Sequence, residues 1–434
     1  MTYDETVEYL FNCAPPFQQV GGAAYKEGLA NTIAIDNHLG NPHRKFRTIH
    51  VAGTNGKGSS SHTLAAILQE AGYKVGLYTS PHLIDFRERI RVNGTPASKQ
   101  FVIDFVEREK TFFEPLSPSF FELTTAMAFT YFAQQQVDVA IIEVGLGGRL
   151  DCTNIIAPDI CIITNISLDH TQFLGNTEAE IAAEKAGIIK SGIPVIIGEA
   201  TPETRKVFTE KAAKEGAPII FAQDNKALLA ATPTQHGIRY TTADYGIFQG
   251  ELGGEYQANN TNTILTALRE LSKKNYNITT DNIHKGFANV CKLTGLMGRW
   301  QKIGDNPRIV CDAGHNIGGI KYVAQQLARQ DCDTLRIVFG MVSDKDISAV
   351  LAMMPANATY YFTQASIKRA MPADELRKMA ATHNLHGNCY PTVGAALQAA
   401  QKEASNNDFI FVGGSCFIVA DLLTHIDTQK KSNN

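Results

Sequence analysis

The chain has 434 residues, more than one hydrophobic core usually organises, so two domains are expected. A hydrophobic fraction of 44% is ample for folded cores, and a net charge of -3 gives neither the basic signal of a nucleic-acid binder nor a polybasic membrane patch. Eight scattered cysteines without a C-x-x-C pair indicate neither a zinc site nor a disulfide framework.

The amino-terminal Met1-Thr2-Tyr3-Asp4-Glu5 lacks the basic and apolar regions of a signal peptide, and no stretch approaches transmembrane length. A cytoplasmic protein is expected. Strands are expected at 48–52, 74–78, 137–144, 160–165 and 194–198. Helices are expected at 59–71, 100–113, 120–135, 177–190 and 202–215. This alternation argues for a parallel sheet with helices on both faces. Residues 225–256, rich in Thr, Tyr, Gly and Gln, break the rhythm and suit hairpins at a sheet edge. Two helices follow, near 257–274 and 280–290. At Gly295-Leu296-Met297-Gly298-Arg299-Trp300 the alternation restarts, with strands at 308–311, 335–339, 359–362 and 409–412. Helices at 316–329, 346–354, 373–381 and 394–403 separate them. The expected domains are 1–295, a larger parallel-sheet unit, and 296–434, a smaller Rossmann-like α/β unit. The polar end, 429–434, reads as a frayed tail.

The first strand runs into His50-Val51-Ala52-Gly53-Thr54-Asn55-Gly56-Lys57-Gly58-Ser59 and then a helix. Glycines let backbone N–H groups close round an anion, a lysine supplies charge, and a hydroxyl can hold Mg²⁺. A nucleoside triphosphate is the first ligand this pattern suggests. The loop is shorter than the standard one: Val51 stands where its first glycine would be, and Gly58 intrudes between lysine and serine. A chance glycine-rich turn is the alternative.

Open parallel sheets bind ligands beyond the carboxyl ends of their strands. The second strand ends in Thr79-Ser80-Pro81-His82. The third ends in Glu143-Val144-Gly145-Leu146-Gly147-Gly148-Arg149-Leu150-Asp151. The fourth ends in Asn165, then Ser167, Asp169 and His170, with Lys185 on the next helix. One sheet edge thus collects hydroxyls, a carboxylate, an imidazole and two lysines, a set able to hold Mg²⁺ and a triphosphate. Each member has a plainer alternative. His170 can be a hydrogen-bonded loop residue, Ser80 can shape a turn, and Gly147-Gly148 can be a turn and no more. Glu143, in an apolar strand, needs a cation or a basic partner.

At these residues the chain resembles the folylpolyglutamate synthase and dihydrofolate synthase family, within the Mur-ligase-like ATP-dependent amide ligases. The matching segments are the phosphate loop, Ser80-Pro81-His82-Leu83, Glu88-Arg89-Ile90, Glu143 to Asp151, Leu168-Asp169-His170-Thr171 and Glu184-Lys185-Ala186-Gly187-Ile188. In the second domain they are Gly298-Arg299-Trp300, Asp312-Ala313-Gly314-His315-Asn316 and Gly413-Gly414-Ser415. The resemblance implies a Mur-ligase-like fold and an ATP-dependent carbon–nitrogen ligase. Such an enzyme joins L-glutamate to dihydropteroate, to reduced folates, or to both, through an acyl phosphate. It implies that Gly56, Lys57, Gly58 and Ser59 hold the ATP phosphates, and that Ser80, Glu143 and His170 are Mg²⁺ ligands. Asn260, Arg299 and Asp312 would reach the nucleotide, and Phe121, Leu150 and Asp151 the pterin side. Lys185 matches a lysine carried as a carbamate, which would support a second Mg²⁺; Lys57, His170 and Lys185 form the catalytic set. Cys152 and Tyr256 depart from residues common in the family, and the stretch around Lys26, Glu27 and Gly28 matches an early pterin contact poorly and receives no role.

Three residues keep alternatives. Phe121 can be core on its helix, Asp312 can cap the helix starting near Asn316, and Lys185 can stay an ammonium paired with Glu184 or a phosphate. The partners expected are small molecules only, with no nucleic acid and no membrane, and a monomer is expected. The rivals are a Mur-type cell-wall peptide ligase, which would carry a further amino-terminal domain, and a P-loop ATPase that makes no amide.

Overall fold

The apolar run Arg47–Ala52 (β1) is the centre of the first sheet in the computed structural model, which describes residues 1–13, 28–343 and 345–432. Lys26 and Glu27 thus lie outside the described residues. The other strands are Val75–Tyr78 (β2), Ile90–Val92 (β3), Thr95–Pro96 (β4), Val139–Glu143 (β5), Ile160–Ile163 (β6), Val195–Ile197 (β7) and Ile219–Phe221 (β8). Their spatial order is β4-β3-β2-β5-β1-β6-β7-β8. β2, β5, β1, β6, β7 and β8 run parallel; β3 and β4 add an antiparallel edge.

Successive side chains of a strand face opposite ways, so a strand buried on both faces serves two cores. Ile49, Val51 and Ile141 pack with Leu64, Ile67 and Leu68 of helix Lys57–Glu70 and with Ile264 and Leu268 of helix Gln257–Lys273. Ala140 and Ile142 pack on the other face with Phe105, Phe129 and Phe132 from helices Lys99–Phe113 and Phe120–Gln134. Ile163 and Ile197 meet Phe208 of helix Pro202–Glu215.

The hairpins of 225–256 form, but not at the edge of this sheet. Leu228–Thr234 (β9), Gly237–Thr242 (β10) and Ile247–Gly250 (β11) make a separate antiparallel sheet, ordered β11-β10-β9. The reason is burial: Ile238, Tyr240 and Phe248 point into the core shared with Leu265 and Phe287. The β3–β4 hairpin escaped the strand pattern because its strands are so short. Its turn was nevertheless written as Asn93-Gly94, both at positive φ (46° and 76°), as a tight hairpin turn requires.

The chain divides into two compact units, Met1–Glu251 with Tyr256–Leu296, and Leu252–Glu255 with Met297–Asn434. The four-residue excursion belongs to the second unit because Gln326 grips it. The Gln326 side-chain oxygen accepts the Glu255 N–H at 2.9 Å, and its Nε2 donates to the Gly253 carbonyl at 3.0 Å. The second unit contains Gln301–Asp305 (β12), Arg308–Asp312 (β13), Leu335–Phe339 (β14), Thr359–Phe362 (β15), Gly387–Cys389 (β16) and Phe409–Gly413 (β17). Their order is β12-β13-β17-β14-β15-β16, with only β12 antiparallel. Ile337, Phe339, Phe362 and Phe411 fill its core. Helix Cys416–Ser432 runs through most of the stretch expected to fray; buried Ile418, Val419 and Leu422 anchor it, and Lys431 pairs with Asp427 one turn earlier. No helix among the described residues is long and apolar enough to cross a membrane.

Candidate active site

β1 leaves the sheet at Ala52 and turns at once into the loop before helix Lys57–Glu70. Gly53 and Gly56 adopt φ of 141° and 84°. A side chain at Gly53 would collide with Thr164 Oγ1, and one at Gly56 with Asn260 Oδ1. Both positions therefore need glycine twice over, for backbone shape and for space. The Lys57 ammonium lies across the loop, donating to the carbonyls of Gly53 and Thr54 at 2.9 and 3.0 Å.

The loop is braced from the end of β6. Asn165 accepts the Asn55 N–H through Oδ1 at 2.9 Å and the Thr54 N–H through its carbonyl at 2.9 Å. Ser167 exchanges bonds with the Thr54 hydroxyl, and its own hydroxyl accepts from Asn55 Nδ2 at 3.1 Å. Thr164 Oγ1 donates to the Asn55 carbonyl at 2.6 Å. Asn260, buried on helix Gln257–Lys273, backs Gly56 and donates to Gln257 Oε1 at 2.9 Å; Gln257 in turn donates to Ser59 Oγ at 3.1 Å. Thr164 and Gln257 were not singled out from sequence. Their only signals were adjacency to Asn165 and to Tyr256, where the chain departs from the family. Gly56→Ala is expected to weaken nucleotide binding at least roughly tenfold, because the added methyl must displace Asn260 or the loop. Calorimetric titration with ADP checks it; unchanged affinity would show that the loop tolerates the methyl.

Ser80 and Glu143 come together at neighbouring strand ends: the Ser80 N–H points to Glu143 Oε2 at 3.4 Å. Glu143 is buried and lies beside Val51 in strand register, while buried Arg89 places positive charge within reach of it. His170 adopts a left-handed conformation (φ 51°) at the start of helix Thr171–Leu174, its N–H bonded to Asp169 Oδ1 at 2.9 Å. Among the described residues no three His, Cys, Asp or Glu side chains form a ready-made metal cage. Oxygen donors such as Ser80 and Glu143 nonetheless suit a hard cation that keeps few protein ligands and takes the rest from phosphates and water.

Lys185 is buried on helix Glu178–Ala186. Burial, reinforced by the nearby Lys57 ammonium, pulls its pKa down to about 7 against the opposing charges of Asp169, Asp151 and Glu184. Glu184, the partner the plainer alternative offered it, is taken by Arg149 in a two-nitrogen contact at 2.9 and 3.0 Å.

On the expected pterin side, the capping box of Ser119 and Glu122 fixes the start of helix Phe120–Gln134. It lays the half-buried Phe121 ring over the Cα of Gly145, 5.7 Å from the Tyr78 ring. Leu150 is half-buried in the same loop. Asp151 is buried and turned to its own loop. Oδ2 accepts the N–H groups of Gly145 and Leu146 at 3.0 and 2.9 Å, and Oδ1 accepts the N–H and hydroxyl of Thr153. Four loop donors thus reach the carboxylate expected on the pterin side.

In the second unit, Asp312 ends β13 and bridges two backbone N–H groups, Trp300 and Gly314, each at 2.7 Å. It is not a helix cap; Asn316 caps helix Ile317–Ala328 by accepting from the Gly319 N–H. Arg299, next to Trp300 in the chain, donates to the Gly298 carbonyl at 3.2 Å.

A parallel sheet with a phosphate loop at its central strand, followed by a second α/β unit, is the architecture of Mur-type ligases. The Mur ligase middle domain matches residues 51–268, and the Mur ligase glutamate ligase domain matches residues 298–416. A dihydrofolate synthase/folylpolyglutamate synthase of Bacillus subtilis is 32% identical over 411 residues, which are 92% of this chain and 94% of the relative. A probable bifunctional folylpolyglutamate synthase/dihydropteroate synthase of Haloferax volcanii is 34% identical over 98% of this chain, which spans only 50% of that longer relative. The structure of Escherichia coli FolC in complex with DHPP and ADP superposes with a TM-score of 0.85 at 32% identity, covering 99% of both chains. The chain belongs to the folylpolyglutamate synthase/dihydrofolate synthase family.

Proposed function

We propose that this chain uses ATP to join L-glutamate to the carboxylate of dihydropteroate and of reduced folates. The observation that carries the proposal is one sheet edge on which the Gly53–Lys57 loop, the Ser80–Glu143 pair and buried Lys185 converge, in a chain matching the family along its length.

A carboxylate does not react with an amine at neutral pH. Its oxygen must first attack the terminal phosphorus of ATP, with ADP leaving; the glutamate amine then attacks the acyl carbon and phosphate leaves. Negative charge spreads over the transferring group, so cationic groups must be in place beforehand. Lys57 and the N–H groups opening helix Lys57–Glu70 supply that fixed charge, while Gly56, Gly58 and Ser59 shape the cradle. Asn260 sets the loop from behind, and Arg299 and Asp312 are assigned to the nucleotide from the second unit. Phe121 and Leu150 offer apolar surface to the flat pteroate, on a loop that Asp151 holds. Mg²⁺, when bound, neutralises phosphate charge; Ser80, Glu143 and His170 would hold it, and a carbamate on Lys185 would serve a second ion. The working unit in this proposal is a cytoplasmic monomer in the 1–295 and 296–434 division.

Purified protein offered dihydropteroate or tetrahydrofolate, each with and without glutamate, tests the proposal. ADP release and an amide product of the expected mass should require all three substrates. ADP release without product would leave a P-loop ATPase, and product only from a nucleotide-linked peptide would leave a cell-wall ligase. Glu143→Ala and His170→Ala should each raise the Mg²⁺ needed for half-maximal rate at least roughly tenfold. Mg²⁺ titrations matching the parent would remove that residue from the metal site.

A further inference from the structure

We propose that His50 and Thr153 are positioning residues that act through Asp151 to hold the loop after Glu143. His50 lies on β1 between apolar Ile49 and Val51, fully buried, beside Ile142 and Cys161 of the adjoining strands. Its Nε2 is 2.8 Å from Thr153 Oγ1. The Thr153 hydroxyl bonds Asp151 Oδ1, and Asp151 Oδ2 holds the amides of Gly145 and Leu146.

The direction of each bond follows from chemistry. A carboxylate bonded to two backbone amides through one oxygen, and to an amide and a hydroxyl through the other, only accepts. The single Thr153 hydroxyl proton therefore points to Asp151. Toward His50 the same oxygen can only accept, so Nε2 carries the imidazole proton. Nδ1 is left as a bare acceptor, buried and without a hydrogen-bond partner among the described residues. An orphaned buried acceptor is costly, and a leucine or valine on this strand would avoid it. The imidazole is the residue that can direct the Thr153 proton. The relay ties the strand that enters the phosphate loop to the turn between Glu143 and Leu150, 95 residues further on. A second tie holds the far end of this turn independently: Asn154 Nδ2 donates to the carbonyls of Arg149 and Gly187, each at 3.0 Å. Loosening the relay should free the Gly145–Leu146 end without unfolding the loop.

The activity arm of the test rests on the proposed function, that this loop borders the pteroate; the exchange arm does not. In hydrogen exchange on the nucleotide-free protein, Thr153→Val and His50→Leu should speed exchange at Gly145 and Leu146 about tenfold or more, with Thr153→Ser close to the parent. In turnover, Thr153→Val should raise KM for dihydropteroate about tenfold and leave KM for ATP within about twofold, with Thr153→Ser restoring it. Unchanged exchange in Thr153→Val, an equal rise in the ATP KM, or no rescue by serine overturns the relay. If Thr153→Val does not fold, His50→Gln against His50→Leu asks the same question, since only the amide can donate to Thr153; equal behaviour of the two overturns it. A parent protein that forms no amide product refutes the proposed function, while the exchange comparison still decides the relay.

Discussion

Lys57→Ala lowers turnover by roughly 10²- to 10³-fold or more, the loss expected when one preorganised donor to a developing charge is removed. The stability cost is small. Lys57 is half-exposed, and its ammonium donates to the carbonyls of Gly53 and Thr54, which water can satisfy once the side chain is gone. The loop keeps its shape because Asn165, Ser167 and Thr164 brace it without the lysine. The melting temperature is therefore expected to stay within about 1 °C of the parent, equivalent to ~1 kcal/mol for a chain of this size. Turnover within tenfold of the parent at saturating ATP would remove Lys57 from phosphate binding. A large fall in melting temperature would show instead that its contacts hold the loop together.

Lys185→Ala abolishes ligation to a similar extent, and acetate restores part of it. A protonated amine beside divalent cations is repelled by them. With its pKa pulled down to about 7, half of the Lys185 amine is neutral at neutral pH, whereas an ordinary lysine is neutral in roughly one molecule in 3,000. The neutral amine can add CO₂ and become an anionic oxygen donor. Because the neutral fraction grows as pH rises from 6 to 8, added bicarbonate should raise the rate most below pH 7 and least above 8.

The stability sign can be worked out as well. Between pH 7 and 10.5 the unfolded chain holds a proton on Lys185 that the folded one has shed, so folding stability rises with pH across that window. Below 7 the folded state carries the buried charge and pays its full cost. In CO₂-free buffer without metal, Lys185→Met should therefore melt higher than the parent at pH 6, with the gap closing towards pH 10. Full activity of Lys185→Ala, or failure of small carboxylates to restore any of it, would sink the carbamate. A pH-independent gap in melting would show that Lys185 is not the titrating group.

Strand–helix alternation was legible because parallel strands buried on both faces must be nearly continuous apolar runs, and helices between them must be amphipathic; 335–339, 359–362 and 202–215 could be located to the residue for that reason. The phosphate loop and the residues ending β2, β5 and β6 were legible too, since glycine, lysine and hydroxyl spacing within one local segment carries its own chemistry. The short edge strands β3, β4, β12 and β16 were not, because their polar or mixed residues make no continuous apolar run.

What only tertiary structure decided is every contact across long sequence separation. Asn260 and Thr164 close on Gly56 and Gly53, which turns two permissive glycines into obligatory ones. Gln326 draws Leu252–Glu255 into the second unit. Burial beside Lys57 converts Lys185 from a common surface cation into an amine near neutrality. Asp151, a carboxylate the family motif points toward substrate, spends its oxygens on Gly145, Leu146 and Thr153. The sequence by itself determined which residues carry charge, hydroxyl or freedom at positive φ. Which of those groups face a ligand and which face the protein depends on desolvation and on the partners that folding supplies, and those are properties of the packed chain alone.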